Sequence, residues 1–289
     1  MNKNMRGFLL TCTLSILGAN LSVAQSIVAH RMTAADRHKL GGDNVMATAQ
    51  TSDFEARTYV NNENDTLLYR LLRPINYDPK KKYPLVICLS GSGGRGTDNI
   101  RQIAGCWPAQ ILSKQENREK YPAFIFVPQC PQGSDWGRSL GVSEKEIRFK
   151  LGSFTQPSVD SIVLEAISTL EKEFNIDIKR RYVTGQSMGG YGTWHFILNH
   201  PEMFAAAIPI CGGGNPSLAQ NIVNLPVWVF HGQKDSAVPV DFSRNMVEAI
   251  KKEGGDPNYN EFSGAYHVVW PLAYDTPGLL DWLFAQKNN

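Results

Sequence analysis

The sequence predicts an α/β fold built on one mostly parallel sheet covered by helices on both faces. Two observations predict it. From Pro84 onward, short apolar runs alternate with helix-compatible segments, the rhythm of a sheet whose connections cross its faces. The pentapeptide Gly185-Gln186-Ser187-Met188-Gly189 also stands between an apolar strand-type run, Tyr182-Val183, and a helical segment, Met188 to Asn199. That is the context of a serine held on a sharp strand-to-helix turn. A chain of 289 residues, 42% of them hydrophobic, is long enough to bury a full core as one such domain.

The first 24 residues read as a signal peptide. Lys3 and Arg6 make a basic start, Phe8 to Leu17 an apolar middle too short to span a bilayer comfortably, and Ser22-Val23-Ala24 a small-residue end. Cys12 lies too early for a lipoprotein box, so the expectation is soluble export, secreted or periplasmic, with no membrane anchor. Cleavage after Ala24 removes two basic residues from a chain of formal charge +2. The near-neutral remainder carries no charge pattern for nucleic acid or an anionic membrane. Residues 25–52 are mixed and polar and read as an N-terminal arm; residues 53–289 read as the catalytic domain.

Within that domain, Arg57 to Val60 and Thr66 to Leu72 read as antiparallel strands joined by the turn-rich 61–65. Core strands follow at Pro84–Leu89, Ala123–Val127, Arg181–Thr184, Ala205–Ile210 and Pro226–Phe230, with a weaker one at Asn258–Phe262. Helical patterns fall at Ile100–Ser113, Ser158–Phe174, Met188–Asn199, Asp241–Lys252 and Gly278–Gln286. Only Cys211 to Leu225 separates the fourth and fifth core strands, too little for a large lid. The connection from Pro131 to Gln156 is long, as functional loops often are. Cys88, Cys106, Cys130 and Cys211 read as free buried thiols, one disulfide being the alternative, and none has metal-ligand spacing.

A serine hydroxyl needs a base, and the base needs an acid to orient it. With Ser187 on the turn, the acid is expected after a later strand and the histidine last. Asp235 follows the run Pro226 to Phe230, and His267 lies in the last loop before the terminal helix. Asp241 is the rival acid, though after Val238-Pro239-Val240 it better fits a helix N-cap. His231 reads as loop support. A developing oxyanion needs two donors: the Met188 N–H, and one from the glycine-rich loop Gly91-Ser92-Gly93-Gly94, assigned to Ser92 with Gly91 adjacent. That loop lacks the Gly-Lys-Ser/Thr pattern of a phosphate cradle. Trp136 and Trp270 offer aromatic faces to a sugar or phenolic acyl group, and Arg138 a charge; packing and a surface ion pair are the plain alternatives.

Tyr83 to Ile87 with Gly91 to Asn99 resembles the oxyanion segment of α/β-hydrolase-fold esterases near the dienelactone hydrolase and prolyl oligopeptidase groups. With Val127 to Pro131, Gly185 to Trp194, Pro209 to Gly214, Val229 to Pro239, and His267 with Trp270, the chain resembles the bacterial secreted esterases often labelled "predicted peptidase". These adjoin feruloyl and acetylxylan esterases and polyhydroxybutyrate depolymerases. The resemblance runs from about Phe54 to Gln286 and departs at Ser90, where relatives usually carry a loop-bracing histidine. It implies a serine carboxylic-ester hydrolase with the α/β-hydrolase fold, needing no metal or organic cofactor. The expected substrate is a small-molecule or oligosaccharide ester, with peptidase, lactonase and non-catalytic binding as rival readings.

Overall fold

A computed structural model describes residues 28–31, 51–137 and 155–288. The expected signal peptide and Arg138 lie outside the described residues. Nine strands form one sheet among those described: β1 Val28–Arg31, β2 Glu55–Val60, β3 Thr66–Leu72, β4 Tyr83–Leu89, β5 Phe124–Pro128, β6 Ile176–Gln186, β7 Ala206–Ile210, β8 Trp228–Gly232 and β9 Asn258–Ser263. Their order is β1-β9-β8-β7-β6-β4-β5-β3-β2. The pairs from β1 to β5 are parallel, and β3 and β2 close that edge antiparallel. The arm expected before residue 53 therefore contributes an edge strand: Val28 to Arg31 lie in parallel register with Asn260 to Ser263 of β9.

The sheet has a core on each face because its central strands are apolar at every position. All seven residues of β4 are buried. Leu85, Ile87 and Leu89 enter one cluster, and Val86 and Cys88 the other, as the two-residue period of a strand requires. The helices divide likewise. α1 Arg101–Ala104, α2 Trp107–Leu112 and α3 Gln115–Lys120 come first in the chain, and α4 Asp160–Glu173, α5 Met188–Asn199 and α6 Asp241–Lys252 follow. α7 Trp270–Tyr274 and α8 Leu279–Ala285 end the chain. α4 buries Ile162, Val163, Ala166, Ile167 and Leu170, a helical-period stripe that packs with α5 and α6 on the first face. α1, α2, α7 and α8 cover the second.

Three details depart from the pattern read in the sequence. The helix expected over Ile100–Ser113 is broken into α1 and α2 at Gly105-Cys106. A Cβ at Gly105 would lie 2.6 Å from the Gly94 nitrogen, so the chain bends there to meet the glycine-rich loop, and Pro108 opens a new helix. β6 begins at Ile176 rather than Arg181; its charged first half projects past a register shift against β4, with Arg180 held 2.8 Å from Asp177. The short α7, opened by Pro271 near its first turn, had no clear periodic signal.

Candidate active site

Four loops at the C-terminal ends of the strands meet at Ser187, where an open parallel sheet places its ligands. Ser187 has φ 56° and ψ −117°, a left-handed-side conformation that a residue with a Cβ rarely holds. Close packing enforces it. A Cβ at Gly189 would lie 2.0 Å from the Leu89 carbonyl oxygen, and one at Gly185 would lie 2.3 Å from the Gly189 oxygen. The Ser187 N–H donates to the Ile210 carbonyl at 2.9 Å, and Tyr191 N–H returns to the Ser187 carbonyl at 3.1 Å, so β7 and α5 both pin the turn. The side chain of Gln186 caps α2, its Oε1 accepting the Trp107 N–H at 2.9 Å.

His267 Nε2 lies 2.9 Å from Ser187 Oγ, and His267 Nδ1 lies 2.7 Å from Asp235 Oδ2. The loop that carries His267 is stitched to the loop that carries Asp235. Lys234 N–H donates to the Ala265 carbonyl at 2.7 Å, and Gln233 Oε1 accepts the Gly264 N–H at 2.9 Å. Gly232 has no side chain because the Tyr266 carbonyl oxygen occupies that space, 2.0 Å from where a Cβ would stand. Asp235 Oδ1 accepts the N–H groups of Ala237 and Val238 at 2.9 and 2.8 Å. Burial alone would raise this carboxyl, but hydrogen bonds from His231, His267 and the Val238 N–H outweigh it and hold Asp235 well below the usual carboxylate range. The rival Asp241 lies elsewhere, exposed at the first helical position of α6 and paired with Arg244 at 2.9 Å; Val240 occupies the cap position instead.

In the glycine-rich loop, Gly91 packs against Ser187: a Cβ there would be 3.7 Å from that of Ser187. Its N–H is committed to the Gly105 carbonyl at 3.2 Å. Among the described residues, the N–H groups of Ser92 and Met188 have no protein acceptor, which favours Ser92 over Gly91 as the loop donor. Gln129, at the end of β5, holds this loop from below. Its Oε1 accepts the Asn99 N–H at 2.6 Å and its Nε2 donates to Asp98 Oδ1 at 2.7 Å. That hydrogen bond first, then the Arg101 N–H against a small opposing effect of burial, brings the Asp98 carboxyl down to about 2.

Trp136 is a correction. Expected to face substrate, it is 1% exposed and packs beneath the site, so its ring has no face to offer. Its Nε1–H donates to the Ser90 carbonyl at 3.0 Å, bracing the glycine-rich loop at its start. Trp270 borders the site, half-buried, its ring edge-on to the His267 imidazole at 5.5 Å between centroids. Gln129 and Gln186 support the arrangement without having been given site roles, and His231, read as loop support, lies against Asp235. Only the glycine-rich neighbours and the strand ends they occupy could have singled them out.

The four described cysteines are free and buried. Among the described residues, Cys211, His231 and Asp235 are the group whose ligand atoms lie close enough for a metal ion, within 4.8 Å of one another. Each is already engaged: Cys211 Sγ donates to the His267 carbonyl at 3.2 Å, and both nitrogens of His231 have partners. The set fits a hydrogen-bonded support better than a cation site.

A serine on a strained elbow, met by an imidazole and a buried carboxylate at the ends of a parallel sheet, defines the α/β-hydrolase class. Residues 64–257 match the model of the family described as "Putative esterase", and the chain belongs to that family. The solved structure of a thermostable esterase superposes with a TM-score of 0.74 at 38% identity, covering 82% of this chain and 64% of its own. "Probable acetylxylan esterase A" of Aspergillus fumigatus is 27% identical over 178 residues, 49% of this chain and 45% of that protein. A feruloyl esterase module from Clostridium thermocellum shares the fold at a TM-score of 0.52 and 19% identity, covering 74% of this chain and 81% of its own. The chain thus spans less than two thirds of the length of the first two.

Proposed function

We propose that this protein is an exported serine hydrolase that cleaves carboxylic esters, with short or aromatic acyl groups carried on carbohydrate as its substrates. The observation that carries the reading is the continuous hydrogen-bonded line from Ser187 Oγ through His267 to Asp235, with 2.9 and 2.7 Å links. Ser187 Oγ attacks the ester carbonyl carbon while its proton passes to His267 Nε2. Asp235 holds the Nδ1–H and stabilises the imidazolium. The oxyanion takes the N–H groups of Met188 and Ser92. His267 then gives its proton to the departing alkoxide, leaving an acyl-Ser187. A water, deprotonated by the same nitrogen, attacks that acyl carbon; the acyl–Ser187 bond breaks, His267 returns the proton to Ser187 Oγ, and the acid departs.

Membership of the esterase family supports ester rather than amide cleavage. The similarity to an acetylxylan esterase supports an acyl group on carbohydrate, and the short segment between β7 and β8, whose one helix is the 3-10 helix Pro216–Ile222, supports an open mouth that such a substrate needs. The basic, apolar and small-residue order of residues 1–24 supports export; no helix among the described residues is long and apolar enough to cross a membrane.

The test is a panel of acetylated and feruloylated oligosaccharides, simple aryl esters and peptide anilides, run with the wild type and Ser187→Ala. Turnover of the sugar esters that falls by about a thousandfold in a folded Ser187→Ala is the expected result. Near wild-type turnover in that variant would overturn the mechanism, and cleavage confined to the anilides would make the protein a peptidase.

A further inference from the structure

Asp235 faces two imidazoles, and the mechanism above uses one. His231 lies at the end of β8 with its side chain wholly buried, as is that of Asp235. Its Nε2 is 3.2 Å from Asp235 Oδ2, the same oxygen that meets His267 Nδ1. Nε2 is also 3.0 Å from the Val238 carbonyl, which can only accept. Both neighbours of Nε2 are therefore acceptors, and this nitrogen carries a hydrogen. On the other side, Nδ1 is 2.7 Å from Ser243 Oγ, which is itself 3.1 Å from the Gly212 carbonyl. If the Ser243 hydrogen points to Nδ1 the ring is neutral, and if it points to Gly212 both ring nitrogens are protonated. Either way the Nε2–H is directed at the Val238 carbonyl, with Asp235 Oδ2 beside it at 3.2 Å.

We infer that His231 is a positioning residue for the acid: by sharing Oδ2 of Asp235 with His267, it fixes the carboxylate and limits how tightly that carboxylate holds the His267 proton. The inference rests on the triad reading above. A carboxylate oxygen with two donors gives less to each. Removing the His231 donor leaves more negative charge for His267, which stabilises its protonated form and withdraws the neutral base at mildly acidic pH. The other ionisable groups around this centre are the Cys211 thiol after β7, the Tyr191 phenol of α5, and Glu261 of β9 with its partner Arg244 of α6. Burial pushes the Cys211 thiol and the Tyr191 phenol up, so they stay neutral. The hydrogen bond from Arg244 holds the Glu261 carboxyl down against its burial, so it stays ionised. Imidazole is the chemistry left to respond near neutrality.

Two polar replacements separate the roles. Gln at this position carries an amide N–H out to where Nε2 stands, whereas Asn reaches only as far as Nδ1. On a soluble aryl ester, His231→Asn is expected to lower kcat by about ten- to a hundredfold with KM within about twofold. The acid limb of its kcat/KM profile moves to higher pH by about half a unit or more. His231→Gln is expected to return the limb to the wild-type position and recover most of kcat. The rate of labelling by a fluorophosphonate, with melting curves of each variant, keeps loss of fold apart from loss of positioning. Folded variants with the limb unmoved in both, whether kcat falls or not, would overturn the inference, as would an equal shift in both. Should His231→Asn fail to fold, a His231→Gln profile that differs from wild type in its acid limb overturns it, and a matching one upholds it. A wild type that neither labels nor turns over ester would instead sink the triad reading itself, which sets the two failures apart.

Discussion

Ser187 can sit at positive φ only because its neighbours have no side chains in the way. Gly189→Ala would drive a Cβ onto the Leu89 carbonyl oxygen, 2.0 Å away, where backbone on both sides cannot give. Such a variant is expected to lose about 3 kcal/mol or more of stability and most of its activity, read by thermal melting and ester turnover. Polarity at the acid is as demanding. Asp235→Asn puts an amide donor toward Nδ1 of His267, so the ring is driven to the wrong tautomer, and kcat is expected to fall by about 10²–10⁴ with the fold kept. Asp241→Asn, exposed and bound to Arg244, is the matched control and should leave kcat unchanged. If the two variants behave the other way round, the carboxylate was misassigned.

At the scale of elements, the long connection after β5 does two jobs that differ from the one its aromatic residue suggested. Its base is closed on itself: Thr155 and Gln156 N–H groups donate to the Gly133 carbonyl at 2.9 and 3.1 Å, and Val159 N–H to that of Asp135 at 3.0 Å. Inside that base, Trp136 braces the glycine-rich loop through the Ser90 carbonyl. Trp136→Phe keeps most of the packing and loses the hydrogen bond. It should lower kcat by about tenfold with KM little changed, since a loosened oxyanion donor acts on the transition state; a rise in KM alone would instead make Trp136 a substrate contact. Next to it, α4 is fastened to α5 by Asp160, whose Oδ2 is 2.9 Å from His195 Nε2. That hydrogen bond, against the opposing effect of burial, lowers the Asp160 carboxyl from 3.8 to about 2. A depressed carboxyl stabilises the fold fully above its unfolded value and ceases to as pH falls through its folded one. This contribution should therefore be present above about pH 4 and lost between about 4 and 2. Asp160→Asn is expected to cost about 1 kcal/mol at neutral pH and to flatten the fall of stability over that acid window, measured by urea midpoints at each pH.

For the whole molecule, the decisive feature is what lies over the site. The connection between β7 and β8 carries one short helix, the seven-residue 3-10 helix Pro216–Ile222, so no large helical cap stands between those strands. A site with no large cap between β7 and β8 admits an ester on a bulky carrier but offers little apolar wall for a long acyl chain, each desolvated methylene being worth only about 0.8 kcal/mol. In a p-nitrophenyl ester series, kcat/KM should peak at short acyl groups and show no jump at an oil–water interface. A steady climb to long chains, with no turnover of acylated oligosaccharides, would contradict the open-mouth argument.

The sequence alone determined the alternation of strands and helices, the elbow at Ser187, and the order of serine, acid and histidine along the chain. These are local signals: two-residue and helical periods, glycines on either side of a serine, and loops at predictable strand ends. It did not determine which buried side chains hold the reacting ones. Trp136 looked like a platform and is a brace, because the nearest acceptor for its indole N–H is a carbonyl 46 positions earlier in the chain. Gln129 and Gln186 were given no role by the sequence, and each ties one loop to another segment. The break between α1 and α2 came from Gly105 meeting Gly94, a contact between two loops that no local pattern encodes. His231 read as loop support, yet only the folded chain brings its Nε2 within 3.2 Å of the carboxylate that His267 also needs. Hydrogen-bond partners distant in sequence are fixed by packing, and packing is what the tertiary structure decided.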